Sequence, residues 1–342
     1  MYLHFKPGLM INKLLFLLTI CAILLFKPSG YAQDPEFSQF YANPLYLNPA
    51  LAGSTICPRL VLNYRNQWPG LANSFVTYNA SYDQYFEKLS GGLGLIVNLD
   101  NAGDGIIKTT TASFMYAFRL RAGRDFYIQM AVEGTYMQKS LNWNKLQFED
   151  QIDPQLGFVN PTSETPPDKL TIGFPDFSAG IAFGWKNLMF GGVAVNHLSE
   201  PNMAFYSQNQ NKLPMKITGH FGMNFNLAGG GVSFGEEEPT FYISPNVLYQ
   251  QQGDFHQINA GLYIVRLPIV LGAWFRHNFE NEDAVIALVG IQWQNLNVGY
   301  SYDMTLSQLK SNTGGAHEVS FAWKFNCIEK RRKLKAIKCP EF

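Results

Sequence analysis

The sequence predicts an all-β protein: a transmembrane antiparallel β-barrel of about 14 strands with an N-terminal plug-like segment. Three observations predict this fold class. An N-terminal export signal is followed by about fourteen stretches of roughly ten residues in which apolar and polar residues alternate. Charged residues make up only 15% of the chain and aromatic residues reach 15%, whereas a soluble domain averages about 25% charged residues. No apolar run reaches the ~20 residues of a membrane helix.

Residues 1–32 have the features of a signal peptide. Lys13 precedes the unbroken apolar run 14–26, and residues 30–32 form a small-x-small cleavage site. We therefore expect the mature chain to begin immediately after residue 32. Cys21 raises lipidation as an alternative, but an isoleucine precedes it where a lipoprotein needs a small residue.

The mature chain divides into an N-terminal periplasmic or plug segment (33–58), the β-barrel (59–327) and a basic periplasmic tail (328–342). Prolines in the first segment lack the backbone N–H that a strand donates, so the segment is not a regular strand. Its many aromatic residues make it too apolar to be a free tail. We expect it to fold into the periplasmic mouth or the lumen and narrow the pore; a loose periplasmic arm is the alternative. The candidate plug or partner residues are Asp34, Pro35, Phe37, Ser38, Gln39, Asn48, Pro49 and Gly53.

The strand pattern is clearest at the end of the barrel. Val319, Phe321 and Trp323 alternate there with Glu318 and Ser320, so one face suits lipid and the other suits water. Fourteen strands is an even number, as bacterial barrels usually require for both termini to lie on one side. The predicted strands are 59–68, 73–84, 90–99, 106–121, 124–138, 174–186, 188–198, 215–228, 239–250, 254–266, 269–280, 284–294, 295–304 and 315–327.

Connection lengths predict the orientation of the barrel. With both termini in the periplasm, the two longest connections, 139–173 and 199–214, face outward, and tight turns such as 121–124 face inward. The connection 229–238 is long on the predicted periplasmic side, which could mean that the strand count is off by two nearby.

Aromatic residues near strand ends are candidates for the interfacial girdles of a membrane barrel. The alternative is that they are core aromatics of a secreted, soluble β protein. These candidates are Tyr64, Trp68, Trp185, Trp274 and Trp293.

Two local patterns resemble chemical sites but fit turns better. Residues 231–235 spell G-x-S-x-G, but acidic residues and a new strand follow where a hydrolase needs a helix. Residues 100–105 resemble the start of a calcium loop, yet Ala102 occupies a ligand position and Thr111 replaces the bidentate Glu. The histidines lack metal-ligand spacing. We therefore predict no catalytic residues, no cofactor and no metal site.

The net charge of the chain is zero and the tail is its only basic cluster, so the sequence gives no indication of nucleic-acid binding. The tail is a candidate surface for a periplasmic partner, peptidoglycan or anionic lipid; a solvated tail is the alternative. Cys327 and Cys339 flank it and could form a disulfide, which would leave Cys57 unpaired, although sequence alone leaves the pairing open. The basic residues are Lys330, Arg331, Arg332, Lys333, Lys335 and Lys338.

Two motifs follow the predicted cleavage site, at residues 34–40 (DPEFSQF) and 43–53 (NPLYLNPALAG). This segment resembles the opening of the PorP/SprF family of outer-membrane proteins, which is associated with type IX secretion and gliding motility in Bacteroidota. Further matches occur from one end of the mature chain to the other, at 64–69, 77–78, 81–83, 91–94, 301–303, 315–318 and 338–342.

The resemblance implies an integral barrel of the Gram-negative outer membrane, exported by a cleaved signal peptide and without enzymatic activity or cofactor. The implied partners are outer-membrane lipid, periplasmic components of the secretion machine and a secreted adhesin or other type IX cargo. The barrel would assemble, display or anchor that cargo at the cell surface. The resemblance does not distinguish a core secretion component from an adhesin partner. The barrel alone also suits a diffusion channel or hydrophobic-solute transporter, and a channel requires an open, charged constriction.

Overall fold

The computed structural model describes residues 34–55, 57–71, 74–206, 208, 210–227, 240–279, 281–306 and 314–327. The predicted signal peptide, the G-x-S-x-G pattern, the basic tail and Cys339 lie outside these residues. Within the described part of the chain, no helix is long and apolar enough to cross a membrane.

In the described residues, seventeen β segments follow a short helical stretch. The helical turns are α1 (Pro44–Leu47) and 3-10 turns at Phe40–Ala42, Pro49–Leu51, Glu87–Leu89, Trp143–Lys145 and Glu149–Gln151. The β segments are β1 (Arg59–Gln67), β2 (Phe75–Phe86), β3 (Gly91–Ala102), β4 (Ile107–Arg121), β5 (Phe126–Leu141), β6 (Ile152–Asp153), β7 (Gly157–Phe158), β8 (Thr171–Trp185), β9 (Met189–Asn196), β10 (Lys216–Met223), β11 (Phe225–Asn226), β12 (Phe241–Gln252), β13 (Phe255–Arg266), β14 (Ile269–Asn278), β15 (Asn281–Trp293), β16 (Leu296–Thr305) and β17 (Ala316–Lys324).

Fourteen of these segments form one closed antiparallel barrel, which confirms the predicted strand count. The sheet runs from β10 through β9, β8 and β5 to β1, continues from β17 to β12, and closes because β10 also pairs with β12. β6 and β7 form a separate hairpin, and β11 only extends the edge of β10 along β12. The long connection 229–238 therefore does not mark a miscount.

Side chains alternate between the two surfaces of the wall, as the period of two predicts. On β17, Val319 and Trp323 are 43% and 40% exposed on the outer surface. Glu318 and Ser320, on the same strand, are 0% and 1% exposed on the inner surface. The outer surface is thus a band of large apolar residues, and the inner surface carries most of the buried polar residues.

Trp274 does not belong to an interfacial girdle, so that part of the aromatic prediction is wrong. It is 2% exposed and its ring centroid lies 5.2 Å from that of Phe40. On β14, Trp274 and the buried Arg276 share the inner face, because positions two apart point the same way. Trp185 and Trp293 do lie exposed on the wall.

The two ends of the barrel differ in their connections. At one end, which we call the short-turn end, strands are joined by residues 87–90, 122–125, 186–188, 267–268 and 294–295, besides the incompletely described connection between β11 and β12. The other end, the long-loop end, carries both long loops, 142–170 and 197–215. β1 begins and β17 finishes at the short-turn end, since Arg59 pairs with Lys324.

A disulfide joins the two ends of the barrel sequence. Cys57 precedes β1, Cys327 follows β17, and their Cα atoms are 5.6 Å apart. The predicted pairing of Cys327 with Cys339 is therefore wrong. Because β1 and β17 are neighbours in the closed sheet, the flanking cysteines are brought together by barrel closure.

Candidate functional site

The N-terminal segment, residues 34–55, lies against the inner surface of the barrel. Its polar contacts reach strands on every side of the ring, including β1, β2, β4, β5, β8, β10, β12, β14, β16 and β17. A segment that touches strands all around a closed sheet must lie within it. These contacts form the candidate functional site.

Prolines and one asparagine determine the local fold of this segment. Pro44 and Pro49 occupy the first turns of α1 and of the following 3-10 turn, where a missing N–H has no cost. The Asn48 side chain accepts a hydrogen bond from the Ala50 N–H at 2.9 Å, and so caps the second turn. The segment therefore bends through successive helical turns instead of joining the sheet.

The segment begins at the long-loop end with an ionic cluster around Asp34, the Asp34 cluster. His197 lies between two carboxylates, 2.8 Å from Asp34 and 2.6 Å from Asp176. The Lys216 ammonium lies 3.6 Å from Asp34, and the Asp34 N–H donates to Gln252 at 3.1 Å. These contacts fix the start of the segment to residues at the ends of β9, β10 and β12.

The Asp34 cluster shifts the pKa values of its members. Burial lowers the pKa of His197, but the charges of Asp34 and Asp176 outweigh burial and raise it from 6.5 to about 10. Burial raises the pKa of Asp34, but His197 and Lys216 outweigh it and hold the pKa below its ordinary value. Both groups are therefore charged at neutral pH.

Ser38 lies at the centre of a second, fully buried cluster, which we call the Ser38 cluster. Its hydroxyl donates to Asp303 at 2.5 Å and accepts from Arg65 at 2.6 Å and from Arg276 at 3.0 Å. Its N–H donates to Glu318 at 2.6 Å. Two cations thus face two carboxylates around one serine, so the charges balance within the lumen.

Gln39 continues this polar contact along β17. Its side-chain oxygen accepts from the Ser320 hydroxyl at 2.6 Å, and its amide nitrogen donates to the Glu318 carbonyl at 2.9 Å. Gln39 is 0% exposed. A buried amide with both ends paired specifies one position of the segment against the wall.

Apolar side chains fill the middle of the segment. Tyr41 packs edge-on against Phe190 at a centroid distance of 5.4 Å, and burying one such large side chain stabilises by about 1.5–3 kcal/mol. The shared core also contains Phe40, Leu45, Leu47, Leu51, Ile96, Met115, Ala117, Trp274 and Leu288.

The segment reaches the short-turn end at Gly53. There its N–H donates to Asp83 at 2.8 Å and its carbonyl accepts from Arg119 at 2.5 Å. Gly53 has a φ of +62°, which favours glycine. A Cβ added to Gly92 on β3 would lie 2.7 Å from the Gly53 Cα, so the two backbones touch.

The remaining predicted residues also lie in this contact. The Pro35 carbonyl accepts from the Tyr46 hydroxyl at 2.5 Å, and the Phe37 ring packs 5.0 Å from that of Tyr46. A Cβ added to Gly180 would lie 3.1 Å from the Pro49 side chain. The six basic tail residues lie outside the described residues.

The sequence pattern places Glu318 on the water-facing side of its strand, but it does not predict which charged residues contact the segment. Arg65, Asp83, Asp303 and Glu318 have inward-facing strand positions and fall in the matching stretches quoted above, so a signal was present. His197 and Arg276 had no such signal. In the described part of the chain, no group of three His, Cys, Asp or Glu residues is arranged to hold a metal ion.

Several solved structures are similar to this chain. The toluene transporter TbuX of Ralstonia pickettii matches with a TM-score of 0.50 at 8% identity, over 82% of this chain and 93% of that chain. A FadL homologue of Pseudomonas aeruginosa matches with a TM-score of 0.41 at 10% identity, over 79% and 90%. Omp33 of Acinetobacter baumannii matches with a TM-score of 0.42 at 8% identity, over 79% and 99%. At 8% identity, the likeness to TbuX shows the fold alone.

A comparison with curated proteins gave no match. The family model described as type IX secretion system membrane protein PorP/SprF matches residues 29–323, which include the N-terminal segment and nearly all of the barrel. The chain therefore belongs to the PorP/SprF family of type IX secretion system membrane proteins, and it is an integral outer-membrane β-barrel.

Proposed function

We propose that residues 34–55 plug this barrel and that the protein holds an exported adhesin or other type IX cargo at the cell surface. Its long-loop end faces outward and its short-turn end meets periplasmic components of the machine, following the usual asymmetry of such barrels. The observation that carries the proposal is the ring of buried contacts around the N-terminal segment. A lumen occupied in this way suits an anchor better than a channel.

The energetics of the Ser38 cluster support a plug that stays in place. Arg65, Asp303 and Glu318 are each less than 5% exposed. Withdrawing the segment would remove the Ser38 hydroxyl and N–H from all of these groups at once. The ion pairs of the wall would remain, but each hydrogen bond between Ser38 and a charged group contributes about 1.5–3 kcal/mol, so withdrawal of the segment is unfavourable.

We also propose that the protein is not an enzyme. Several charged side chains inside the described lumen pair with one another, as Arg59 does with Asp83 at 3.0 Å, or bind the N-terminal segment, as Arg65 does at Ser38. Groups committed to such pairs position the segment and are not free to act on a substrate.

The alternative function is a diffusion channel or a hydrophobic-solute transporter. One observation favours a channel: inward-facing polar residues on β3 to β5, such as Asn98, Asp100 and Lys139, are only partly buried. This side of the lumen is therefore less filled than the side lined by β14 to β17. Toluene transport is a property of TbuX, and the likeness of TbuX to this chain concerns the fold alone.

Planar-bilayer conductance and surface-protein retention test the proposal together. We expect the purified barrel to give no large steady conductance, and deletion of residues 34–53 to open it. Because the deletion could impair folding, the single substitution Gly92→Ala provides a milder opening variant. In cells, loss of the whole protein should release one exported protein from the surface. Large steady conductance of the intact protein with unchanged surface proteins would overturn the proposal in favour of transport.

A further inference from the structure

The long loop 142–170 carries an ordered hairpin with exposed apolar side chains. β6 and β7 pair through Ile152 with Phe158 and Asp153 with Gly157. Leu156 is 73% exposed, and Phe158 and Val159 are each 55% exposed. We call Ile152, Leu156, Phe158 and Val159 the hairpin patch. Clustered apolar side chains on a loop often mark a binding surface, because water solvates them poorly.

Hydrogen bonds hold the hairpin in one conformation. The Asp153 carboxylate accepts from the N–H groups of Gln155 at 2.8 Å and Leu156 at 2.9 Å. The Val159 N–H donates to the Gln151 carbonyl at 3.1 Å. The patch is therefore presented on a formed turn, so binding would lose less conformational entropy than binding by a free loop.

Further contacts fasten this loop to its surroundings. The Lys145 ammonium lies 3.2 Å from the Asp104 carboxylate in the turn between β3 and β4. The Tyr206 hydroxyl donates to the Thr165 carbonyl at 3.2 Å, which joins the two long loops. The hairpin thus has a defined place at the long-loop end.

On the outer surface of β5, polar residues lie between the lipid-facing residues and the start of this loop. Met130, Val132 and Tyr136 are 44%, 64% and 57% exposed on that surface, but Gln138 and Ser140 follow at the same strand parity. Two polar positions advance the strand by about 13 Å. β5 therefore passes out of the lipid-facing band before the loop that carries the hairpin begins.

The charge of the loop also disfavours a lipid surface. Residues 142–170 contain five carboxylates and two lysines. The Ser163 backbone N–H lowers the pKa of Asp150, and the Gln155 and Leu156 N–H groups lower that of Asp153. Both acids stay ionised at neutral pH. This anionic loop repels anionic lipid headgroups and attracts lysine and arginine side chains.

We propose that the hairpin patch is the docking surface for the exported partner, and that the partner presents an apolar face flanked by lysine or arginine side chains. The inference rests on the proposed function, since the partner is the cargo held at the surface. It adds the surface on this chain and the chemistry of the surface that it recognises.

Site-specific photo-crosslinking on intact cells tests this inference. A benzoylphenylalanine in place of Leu156 should crosslink to one exported protein, at an apolar peptide that also contains lysine or arginine. Phe158→Asp and Glu149→Lys in the same chain should each reduce that crosslink, and so should high salt. The same photo-residue in place of Leu89, which is 46% exposed in a turn at the short-turn end, should not crosslink to that protein. A crosslink to lipid or to a second copy, a partner peptide without basic residues, or no crosslink would overturn the inference.

Cargo retention separates this inference from the proposed function. Truncation of two central apolar contacts typically weakens binding by about 10- to 1000-fold, so Leu156→Asp with Phe158→Asp should release the cargo almost as fully as loss of the whole protein. Unchanged heat-modifiable gel mobility would show that the barrel of the variant still folds. If loss of the whole protein releases the cargo but the double variant retains it, the hairpin inference alone fails. If loss of the whole protein releases nothing, the proposed function fails with it.

Discussion

Gln39 and Glu318 contact each other through backbone and side chain alike, although 279 positions separate them in the sequence. The Gln39 N–H donates to the Glu318 carboxylate at 3.2 Å, while the Gln39 side chain donates to the Glu318 carbonyl at 2.9 Å. Since the same carboxylate also pairs with Arg65 at 3.2 Å, the position of the segment and the charge balance of the wall depend on one residue.

We therefore expect Glu318→Gln to destabilise the barrel by about 3–5 kcal/mol, because it leaves the buried Arg65 with one carboxylate fewer. Urea unfolding in lipid bilayers measures this loss. Glu164→Gln, an exposed change on the long loop, is the matched control and should stay within about 0.5 kcal/mol. Equal stabilities of the two variants would contradict the role assigned to Glu318.

The close approach of Gly92 to the segment gives a steric prediction. Gly92→Ala places a methyl group against the Ala52–Gly53 backbone, which cannot shift as a flexible side chain would. We expect a loss of about 1–3 kcal/mol from overpacking, together with higher bilayer conductance as the turn leaves the wall.

Gly134→Ala is the control for this prediction, since a Cβ at Gly134 meets nothing within 4 Å. It should change stability by less than about 0.5 kcal/mol and leave conductance unchanged. The same conductance for both glycine variants would show that the turn at Gly53 does not depend on its contact with Gly92.

The strands could be predicted from the sequence, because a period of two is a local signal. The pairing of Ser38 with Asp303 could not be, because nothing near either residue encodes it. The stretches that resemble the family nevertheless converge in the structure: Arg65, Gly92 and Glu318 come from three of them, and each contacts the N-terminal segment or lies against it. Motifs that are scattered along the sequence therefore meet in one buried interface between the N-terminal segment and the barrel wall.

Two errors have physical reasons that the sequence already contained. Residue type alone makes Trp274 a candidate for the lipid interface, although its strand parity matches Arg276, which faces inward. Nearness in sequence favours Cys339 as a partner of Cys327, although closure of an even-stranded barrel places the first and last strands side by side. In both cases the geometry of the closed sheet outweighed a preference based on residue type or sequence distance.

The disulfide gives a prediction about thiol chemistry. Cys57→Ser and Cys327→Ser should each abolish the mobility difference between reduced and oxidised protein on denaturing gels, whereas Cys339→Ser should leave it unchanged. Removal of the bridge should also lower stability by about 2–5 kcal/mol. Retention of the difference in Cys57→Ser, with its loss in Cys339→Ser, would restore the pairing within the tail.

The Asp34 cluster predicts a pH dependence. Because the pKa of His197 is raised from 6.5 to about 10, its contribution to stability is complete below about pH 6.5 and is lost as the pH rises to about 10. Because the pKa of Asp34 is lowered, its contribution is present above its ordinary pKa. The start of the segment should thus be held most firmly from about pH 4 to 6.5.

Urea midpoints measured from pH 6 to pH 10 check this dependence. The wild-type midpoint should fall across the range, and His197→Ala should fall much less because it lacks the titrating group. Asp34→Asn should also flatten the curve, since it removes the charge that raises the pKa of His197. Parallel curves for the wild type and His197→Ala would assign the dependence to another group.

The path of the N-terminal segment makes a prediction about orientation. Asp34 lies beside Lys216 and Gln252 at the long-loop end, whereas Gly53 contacts Asp83 at the short-turn end. The chain thus runs the length of the lumen before it enters β1. If the long loops face outward, the segment begins at the cell surface and descends towards the periplasm.

Cysteine labelling with a membrane-impermeant maleimide tests this orientation in a Cys339→Ser background. Asp254→Cys, in an exposed turn at the long-loop end, should react on intact cells. Lys88→Cys, in an exposed turn at the short-turn end, should react only after the outer membrane is made permeable. Asp34→Cys should behave like Asp254→Cys but react more slowly, because its side chain is only 17% exposed. The reverse pattern would place the short turns outside, and the hairpin patch would then face the periplasmic machinery in place of exported cargo.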